Sequence, residues 1–129
     1  MSGRFLLDTN IVIALFAKEL AVRERLEQIE AVFLPSVVLG ELYFGARKSS
    51  RVEENLARID EIAISSAVLA CDTEAAKAYG VIKNALRVKG RPIPDNDIWI
   101  AALAIQHRMT LLSRDNDFDH VEGISVEKW

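Results

Sequence analysis

The sequence predicts an α/β domain in which helices cover both faces of a short, mostly parallel five-stranded sheet. Short apolar segments with the character of strands alternate along the 129 residues with segments that carry apolar residues at helical spacing. Strands separated by helices pair in parallel through right-handed crossovers, which place helices on both faces of the sheet. No repeat, low-complexity stretch or linker divides the chain, so a single domain over residues 1–129 is expected.

In the first half of the chain, "RFLL" is the first predicted strand because it ends at a turn or cap signal, Asp8-Thr9-Asn10. Two helical segments follow, and the next strand is stopped by Pro35. Ser36 is a suitable N-cap for the helix after it. These signals predict helices over 11–18, 19–30, 37–48 and 51–64, and strands over 4–7 and 31–34.

In the second half, Asp72 or Thr73 can cap a helix that runs to about Val88. The loop "KGRPIP" leads to Asp95, a preferred N-cap residue, and to a helix in which every residue over 98–104 is apolar. The strands predicted in this half lie at 67–70, 110–113 and 124–127.

Composition narrows the classes of function. Half of the residues are hydrophobic, 27% are charged, and the formal net charge is −3 with a pI near 5.4. These values are ordinary for a soluble globular protein and do not indicate nucleic-acid binding by bulk charge. The single Cys71 cannot form an intrachain disulfide, which suits a reducing, cytoplasmic location. No signal peptide is evident, and the apolar runs are far shorter than the roughly 18 residues of a membrane helix.

Four acidic side chains occupy positions that ordinary surface acids do not. Asp8 follows the first strand and Asp115 follows the fourth, and open α/β sheets bind ligands beyond the carboxyl ends of their strands. Glu41 and Asp97 lie on helix faces that are otherwise apolar, where a lone carboxylate is costly. Two alternatives stay open: Glu41 extends its head into water, or Asp97 is only a second acid in the first turn of its helix.

Gathered carboxylates repel one another unless they are protonated or bridged by cations. Mg²⁺ and Mn²⁺ prefer oxygen ligands from a few carboxylates and substrate phosphate. Such ions also cancel the repulsion between an acidic site and a polyanion, so an acidic pI does not exclude a nucleic-acid substrate.

Other catalytic patterns are weak. His107, His120 and Cys71 have no spacing that suggests a zinc site. No nucleophile elbow, GxGxxG motif or Walker loop is present. Basic residues near the acids predict a rim that guides a phosphate backbone, with an ordinary solvated surface as the alternative. They are Lys83, Arg87, Lys89, Arg91 and Arg114, together with Arg47, Lys48 and Arg51.

Over nearly its whole length the chain resembles PIN-domain nucleases, in particular the small VapC-type ribonuclease toxins of toxin–antitoxin pairs. The order and spacing of four segments carry this resemblance more specifically than any one motif. They are "LLDTNIVI" (6–13), "PSVVLGELYFGARKS" (35–49), "IPDNDIWIAALA" (93–104) and "LLSRDNDFDHVEGISVEKW" (111–129).

The resemblance implies that Asp8, Glu41, Asp97 and Asp115 bind one or two catalytic Mg²⁺ or Mn²⁺ ions. Asp117 is the alternative to Asp115, and the resemblance places the hydroxyls of Thr9 and Ser113 near the site. On this interpretation Asp95 caps its helix, whereas Asp97 is turned inward to hold metal.

The implied function is that of a metal-dependent endoribonuclease toxin that inhibits translation and leaves 5′-phosphate and 3′-hydroxyl ends. The resemblance also implies a PIN-like fold, a homodimer and a small antitoxin whose tail covers an apolar groove, for which "IVIALFA" could supply surface. Two other functions stay open. One is a PIN nuclease that matures RNA or cleaves structured DNA, and the other is a PIN-like binding module without turnover.

Overall fold

The computed structural model describes residues 3–129, and in this part of the chain five strands and six α-helices alternate. The strands are β1 (Arg4–Leu7), β2 (Ala31–Pro35), β3 (Ala67–Leu69), β4 (Thr110–Ser113) and β5 (Ser125–Lys128). The helices are α1 (Thr9–Phe16), α2 (Leu20–Glu27), α3 (Ser36–Arg47), α4 (Val52–Ser65), α5 (Thr73–Lys89) and α6 (Asp95–His107). A 3₁₀ helix, Asn116–His120, precedes β5 and was not predicted from the sequence.

The sheet has the strand order β3-β2-β1-β4-β5, and all four neighbouring pairs are parallel. The α/β prediction is therefore confirmed, with a wholly parallel sheet in place of a mostly parallel one. The chain leaves β1 toward β2 on one side and later returns to β4 on the other, so the strand order switches at β1. Leu7 pairs with Leu112, which brings the residues that follow these two strands to the same edge.

The central strands and α6 form much of the core. Leu6, Leu111 and Leu112 are fully buried, as expected for parallel strands covered on both faces. The residues of α6 from Ile98 to Ala104, apart from Trp99, are at most 2% exposed. The helix packs against α3, α5 and β4. Its small and branched apolar residues let it lie deep in the molecule, which carries its first turn inward as well.

Helix starts follow the predicted signals at two places and depart from them at two others. The Asp8 and Asp72 carboxylates cap α1 and α5 by accepting from the backbone N–H groups of Thr9 and Ala75. The predictions that Ser36 and Asp95 are N-caps are wrong. Pro35 and Pro94 occupy those N-cap positions without any side-chain hydrogen bond. Each proline has an extended backbone conformation, and the helix begins at the residue after it, one position earlier than predicted. Ser36 and Asp95 are therefore the first helical residues.

Among residues 3–129, every helix is too short or too polar to cross a lipid bilayer. At the end of α5, Gly90 adopts a φ of 68° and closes the helix in the left-handed conformation that glycine accepts readily. The chain then turns through the loop that leads to α6.

Candidate metal centre

Parallel pairing of β1 with β4 places Asp8 and Ser113 side by side at the carboxyl edge of the sheet. The backbone N–H of Asp8 donates to the Leu112 carbonyl at 3.0 Å. Ser113 is fully buried, and its hydroxyl donates to Asp8 Oδ2 at 2.6 Å. The predicted proximity of these two strand ends is therefore present in the structure.

Asp8 is 4% exposed, and its carboxylate accepts three hydrogen bonds. Oδ1 accepts from the Thr9 backbone N–H at 2.8 Å, whereas Oδ2 accepts from Ser113 and from Asn10 Nδ2. Burial raises the pKa of Asp8, and the hydrogen bond from Ser113 opposes that rise. Asp8 is thus a firmly held acid rather than a surface acid.

Glu41 projects from the middle of α3 toward the same place. Glu41 Oε1 and Thr9 Oγ1 are both buried, and neither has a hydrogen-bond partner within residues 3–129. Burial raises the pKa of Glu41, and the negative charge of Asp8 raises it further. A buried carboxylate oxygen without a partner is uncommon and needs an explanation. One oxygen of the Glu41 carboxylate is therefore shielded from water, while the residue as a whole is half-buried and lines the groove between α1, α3 and α4.

Asp97 lies in the first turn of α6 and is only 9% exposed. Burial, together with the charges of Asp8, Asp115, Asp117 and Glu41, raises its pKa to about 7. The acids that raise this pKa are the same acids that the sequence singled out. Asp97 is therefore the residue at which the repulsion of the whole group converges.

Asp115 and Asp117 both reach the site, so the structure does not choose between them. Carboxylate oxygens of Asp97, Asp115 and Asp117 all lie within 4.8 Å of one another, a spacing that suits one shared cation. Asp115 caps the 3₁₀ helix by accepting from the Asp117 backbone N–H at 2.9 Å. Its own N–H donates to Ser113 Oγ at 3.0 Å. The turn thus aims two acids at Asp97.

The group fits a hard divalent cation. It offers carboxylate and hydroxyl oxygens, and none of the five acids forms an ion pair with a lysine, arginine or histidine in the described chain. Mg²⁺ and Mn²⁺ take ligands of this kind. Neutralisation by such an ion would also remove the repulsion that raises the Asp97 pKa.

A groove of about 280 Å³ opens beside the acids, between α1, α3 and α4. Its wall is largely apolar, and Ile13 within it is 54% exposed. Thr9 and Glu41 form the end of the groove that meets the site. The residues lining it are Thr9, Ile13, Phe16, Glu41, Leu42, Gly45, Ala46, Asn55, Arg58 and Ile59.

The predicted RNA-binding cations are exposed, and several already contact other residues. Lys83 pairs with Asp95 at 3.0 Å and Arg114 contacts Glu19 through two hydrogen bonds. Lys89 donates to the His120 carbonyl. Arg87 donates to Asn84 on its own helix, Arg51 pairs with Glu54, and the Lys48 ammonium lies over the Phe44 ring. Arg47 and Arg91 are exposed. The contact of all these basic residues with RNA stays a prediction.

Sequence reasoning passed over Asn10. Its amide nitrogen lies 3.2 Å from Asp8 Oδ2 and 3.4 Å from Ser113 Oγ, and its amide oxygen accepts from the Arg114 N–H at 3.1 Å. The sequence indicates Asn10 only as part of a turn signal. The contacts span 103 and 104 residues of sequence, and no local pattern reveals them.

Both the sequence and the fold match known proteins. Residues 5–124 match the PIN domain family. The chain is 36% identical over 129 residues to a Shigella flexneri protein named tRNA(fMet)-specific endonuclease VapC, and 98% of each chain is covered.

Two solved structures extend the comparison. DNA-bound VapBC from Salmonella typhimurium contains a chain that superposes with a TM-score of 0.91 at 32% identity, with 98% of both chains covered. VapBC-5 from Mycobacterium tuberculosis, described as a member of the VapBC family of toxin-antitoxin systems, superposes with a TM-score of 0.75 at 28% identity. The alignment covers 98% of this chain and 96% of that one.

Proposed function

Because the chain belongs to the PIN-domain family, we propose that it is a metal-dependent endoribonuclease and the toxin of a toxin–antitoxin pair. The observation that carries the proposal is the group of acids at the switch point of the sheet. Asp97, Asp115 and Asp117 bring carboxylate oxygens within 4.8 Å of one another, and the charges of Asp8 and Glu41 act on Asp97 as well. A cluster of this kind destabilises a protein unless it binds a cation. Its position beyond the strand ends is where open α/β sheets bind their ligands.

In this proposal Asp8, Glu41 and Asp97 hold the ion, and Asp115 and Asp117 complete its ligands from the turn after β4. When bound, Mg²⁺ or Mn²⁺ lowers the pKa of water and neutralises charge that develops on a phosphodiester. The fold leaves these carboxylates without an ion pair to a lysine, arginine or histidine of the described chain, and hydrogen bonds fix the orientations of Asp8 and Asp115. Ser113 and the Thr9 backbone N–H orient Asp8 by hydrogen bonds to its two oxygens.

The test is cleavage of a panel of purified RNAs that includes initiator tRNA, because the Shigella flexneri relative is named for tRNA(fMet). We expect Mn²⁺- or Mg²⁺-dependent cleavage that EDTA abolishes and that leaves 5′-phosphate ends. The Asp97→Asn protein serves as the matched inactive control. Binding of the panel without cleavage under every metal condition would instead identify a binding module, and cleavage in EDTA would exclude the metal mechanism.

We assign the apolar groove to the antitoxin of the pair. Its wall suits an apolar segment, and Glu41 and Thr9 at its end suit a basic side chain that would reach the acids. At Gly45 an added Cβ would meet no atom within 4 Å, so Gly45→Leu fills the groove without a backbone clash. We expect Gly45→Leu to retain RNA cleavage and to escape inhibition by the antitoxin encoded beside the gene. Unchanged inhibition would place the antitoxin elsewhere.

We also expect the protein to form a homodimer. Val81 and Val88 lie two turns apart on one side of α5, and each is 72% exposed. Contiguous exposed apolar patches mark sites of protein–protein contact, and these two valines supply apolar surface on one face of α5. Analytical ultracentrifugation of the wild type should give a dimer, and Val88→Lys should shift it toward monomer. A monomeric wild type would exclude this part of the proposal.

A further inference from the structure

We propose that Asn10 is a positioning residue of the metal centre, which fixes Asp8 and the turn that carries Asp115 in one geometry. This inference rests on the proposed function, because the position of these acids matters to a ligand only if they bind one. Asn10 is the second residue of α1, and it is half-buried. Its amide contacts both strand ends that form the site.

The orientation of the Asn10 amide follows from its partners. The Arg114 backbone N–H donates to Oδ1, so Nδ2 is the end that faces Asp8 and Ser113. One planar group therefore joins the residue after β1 to two residues at the end of β4. The main-chain pairing of the strands stops at Asp8 and Leu112, so the amide continues the link beyond the sheet.

The Ser113 hydroxyl closes a small network around Asn10. It donates to Asp8 Oδ2 at 2.6 Å and accepts from the Asp115 N–H at 3.0 Å. Asn10 and Ser113 thus both direct hydrogens at Asp8 Oδ2, whereas Oδ1 accepts a single backbone N–H. A carboxylate oxygen has two lone pairs. The acceptor capacity that remains for a cation therefore lies on Oδ1.

If Asn10 positions the acids, its loss should weaken metal binding. A role in helix stability alone would not have this effect. Removing an outer partner of a metal ligand typically costs about 10–100-fold in metal affinity or activity. Asn10 does not supply the cap of α1, which comes from Asp8. Its loss should therefore act on the orientation of Asp8 and Asp115 more than on the helix.

The experiment is Mn²⁺ titration of the purified full chain by calorimetry, with thermal melts in EDTA as the measure of folding. Asn10→Ala should raise the Kd for Mn²⁺ about tenfold. RNA cleavage should fall at limiting Mn²⁺, recover toward the wild-type kcat at saturating Mn²⁺, and show an unchanged KM for RNA. Asn10→Ser, which cannot span both strand ends, should give the same loss and serves if the alanine variant does not fold.

Asn96→Ala is the matched control, since Asn96 is also the second residue of a helix, is exposed, and precedes Asp97. We expect its Kd for Mn²⁺ to equal that of the wild type. An Asn10 variant that melts lower in EDTA but binds Mn²⁺ as tightly as the wild type would show a merely structural role and overturn the inference. A wild-type protein that binds no Mn²⁺ would overturn the proposed metal function first, and this inference with it.

Discussion

Asp95 and Asp97 lie two residues apart in the first turn of α6, yet they belong to different regions of the molecule. Asp95 is on the outer surface between α5 and α6, where it accepts from Tyr79 Oη at 2.9 Å and pairs with Lys83. Asp97 is on the inner side of the same turn, among four other acids. Side chains two residues apart in an α-helix point about 200° away from each other, so one faces solvent and the other faces the sheet edge.

The two regions shift the pKa of an aspartate carboxyl group in opposite directions. The hydrogen bond from Lys83, followed by that from Tyr79, lowers the pKa of Asp95. Burial and like charge raise that of Asp97 to about 7. On the surface, Lys83 balances the charge of Asp95. In the inner cluster, no lysine, arginine or histidine of the described chain forms an ion pair with any of the acids. Unbalanced charge of this kind marks a binding site more specifically than the number of acids does.

The largest expected difference between the two regions is in catalysis. Asp97→Asn should reduce RNA cleavage more than about a hundredfold, since even outer partners of a metal cost 10–100-fold. Asp8→Asn and Glu41→Gln should do the same, and any two together should be little worse than one, because residues acting as a unit are not additive. Asp95→Asn should stay within about twofold of wild type, since the Asp95 carboxylate bonds to Lys83 and Tyr79 on the outer surface, away from the acids.

Initial rates on one RNA substrate, with circular dichroism to verify folding, measure this difference. Full activity in a folded Asp97→Asn protein would remove Asp97 from the site. An equal loss in Asp95→Asn would mean that the outer surface takes part as well.

The second difference is in the pH dependence of stability in EDTA. Asp97 has a folded pKa of about 7 against an ordinary value of 3.8, so between these values the folded state holds a proton that the unfolded state has lost. Asp97 alone should therefore make the free energy of unfolding fall by at most about 4 kcal/mol as pH rises from about 4 to 7. The sign is opposite for Asp95. Its lowered pKa contributes stability that is present above its unfolded pKa and lost as pH falls through the folded one.

Urea denaturation at pH 5 and at pH 7.5 in EDTA measures this slope. Asp97→Asn should reduce the slope without abolishing it, because the pKa values of Asp8 and Glu41 are raised as well. Asp95→Asn should leave the slope as in the wild type, because the lowered pKa of Asp95 lies below this window. A slope that is identical in the wild type and in Asp97→Asn would exclude the raised pKa as its cause.

The smallest expected effect is the loss of the outer pair. Lys83 and Asp95 are 53% and 62% exposed, and exposed ion pairs contribute little to stability. Lys83→Met should therefore lower the free energy of unfolding only slightly, and high salt should reduce the difference further. Urea melts at low and high salt measure it. A larger loss would show that this pair organises the first turn of α6 and so the site itself.

Much of this contrast could be predicted from the sequence, because strand ends and helix faces are local features. Asp8 and Asp115 could be placed by the strands that they follow, and the inward direction of Asp97 by the apolar residues after it. The residue that occupies the N-cap position of α6 could not be predicted in this way. Pro94 took the cap position expected for Asp95, because the conformation of proline outweighed the capping preference of an acid.

The supporting contacts were harder to predict for a different reason. Lys83 and Asp95 lie on different helices, and Asn10 and Ser113 are 103 residues apart. Such pairs depend on how α5 packs on α6 and on the register of β1 with β4. Sequence spacing therefore predicted the acids, whereas their hydrogen-bond partners needed the fold.

The central claim is that Asp97 is held inward, against the repulsion of other acids, to bind a metal ion. Two carboxylates about 6 Å apart repel by roughly 3 kcal/mol at an effective dielectric constant near 20. An ion at about 100 times its Kd stabilises the native state by roughly 2.7 kcal/mol. Both effects are visible in four thermal melts, of the wild type and Asp97→Asn, each in EDTA and in Mn²⁺ at neutral pH.

We expect Asp97→Asn to melt several degrees above the wild type in EDTA, because asparagine keeps the size of the side chain and removes its charge. Mn²⁺ should raise the melting temperature of the wild type and leave the variant nearly unmoved, so that the order narrows or reverses. The opposite result is a wild-type melt that Mn²⁺ does not shift, together with a variant that is less stable in EDTA. That result would make Asp97 a structural residue of the helix turn and contradict the metal centre.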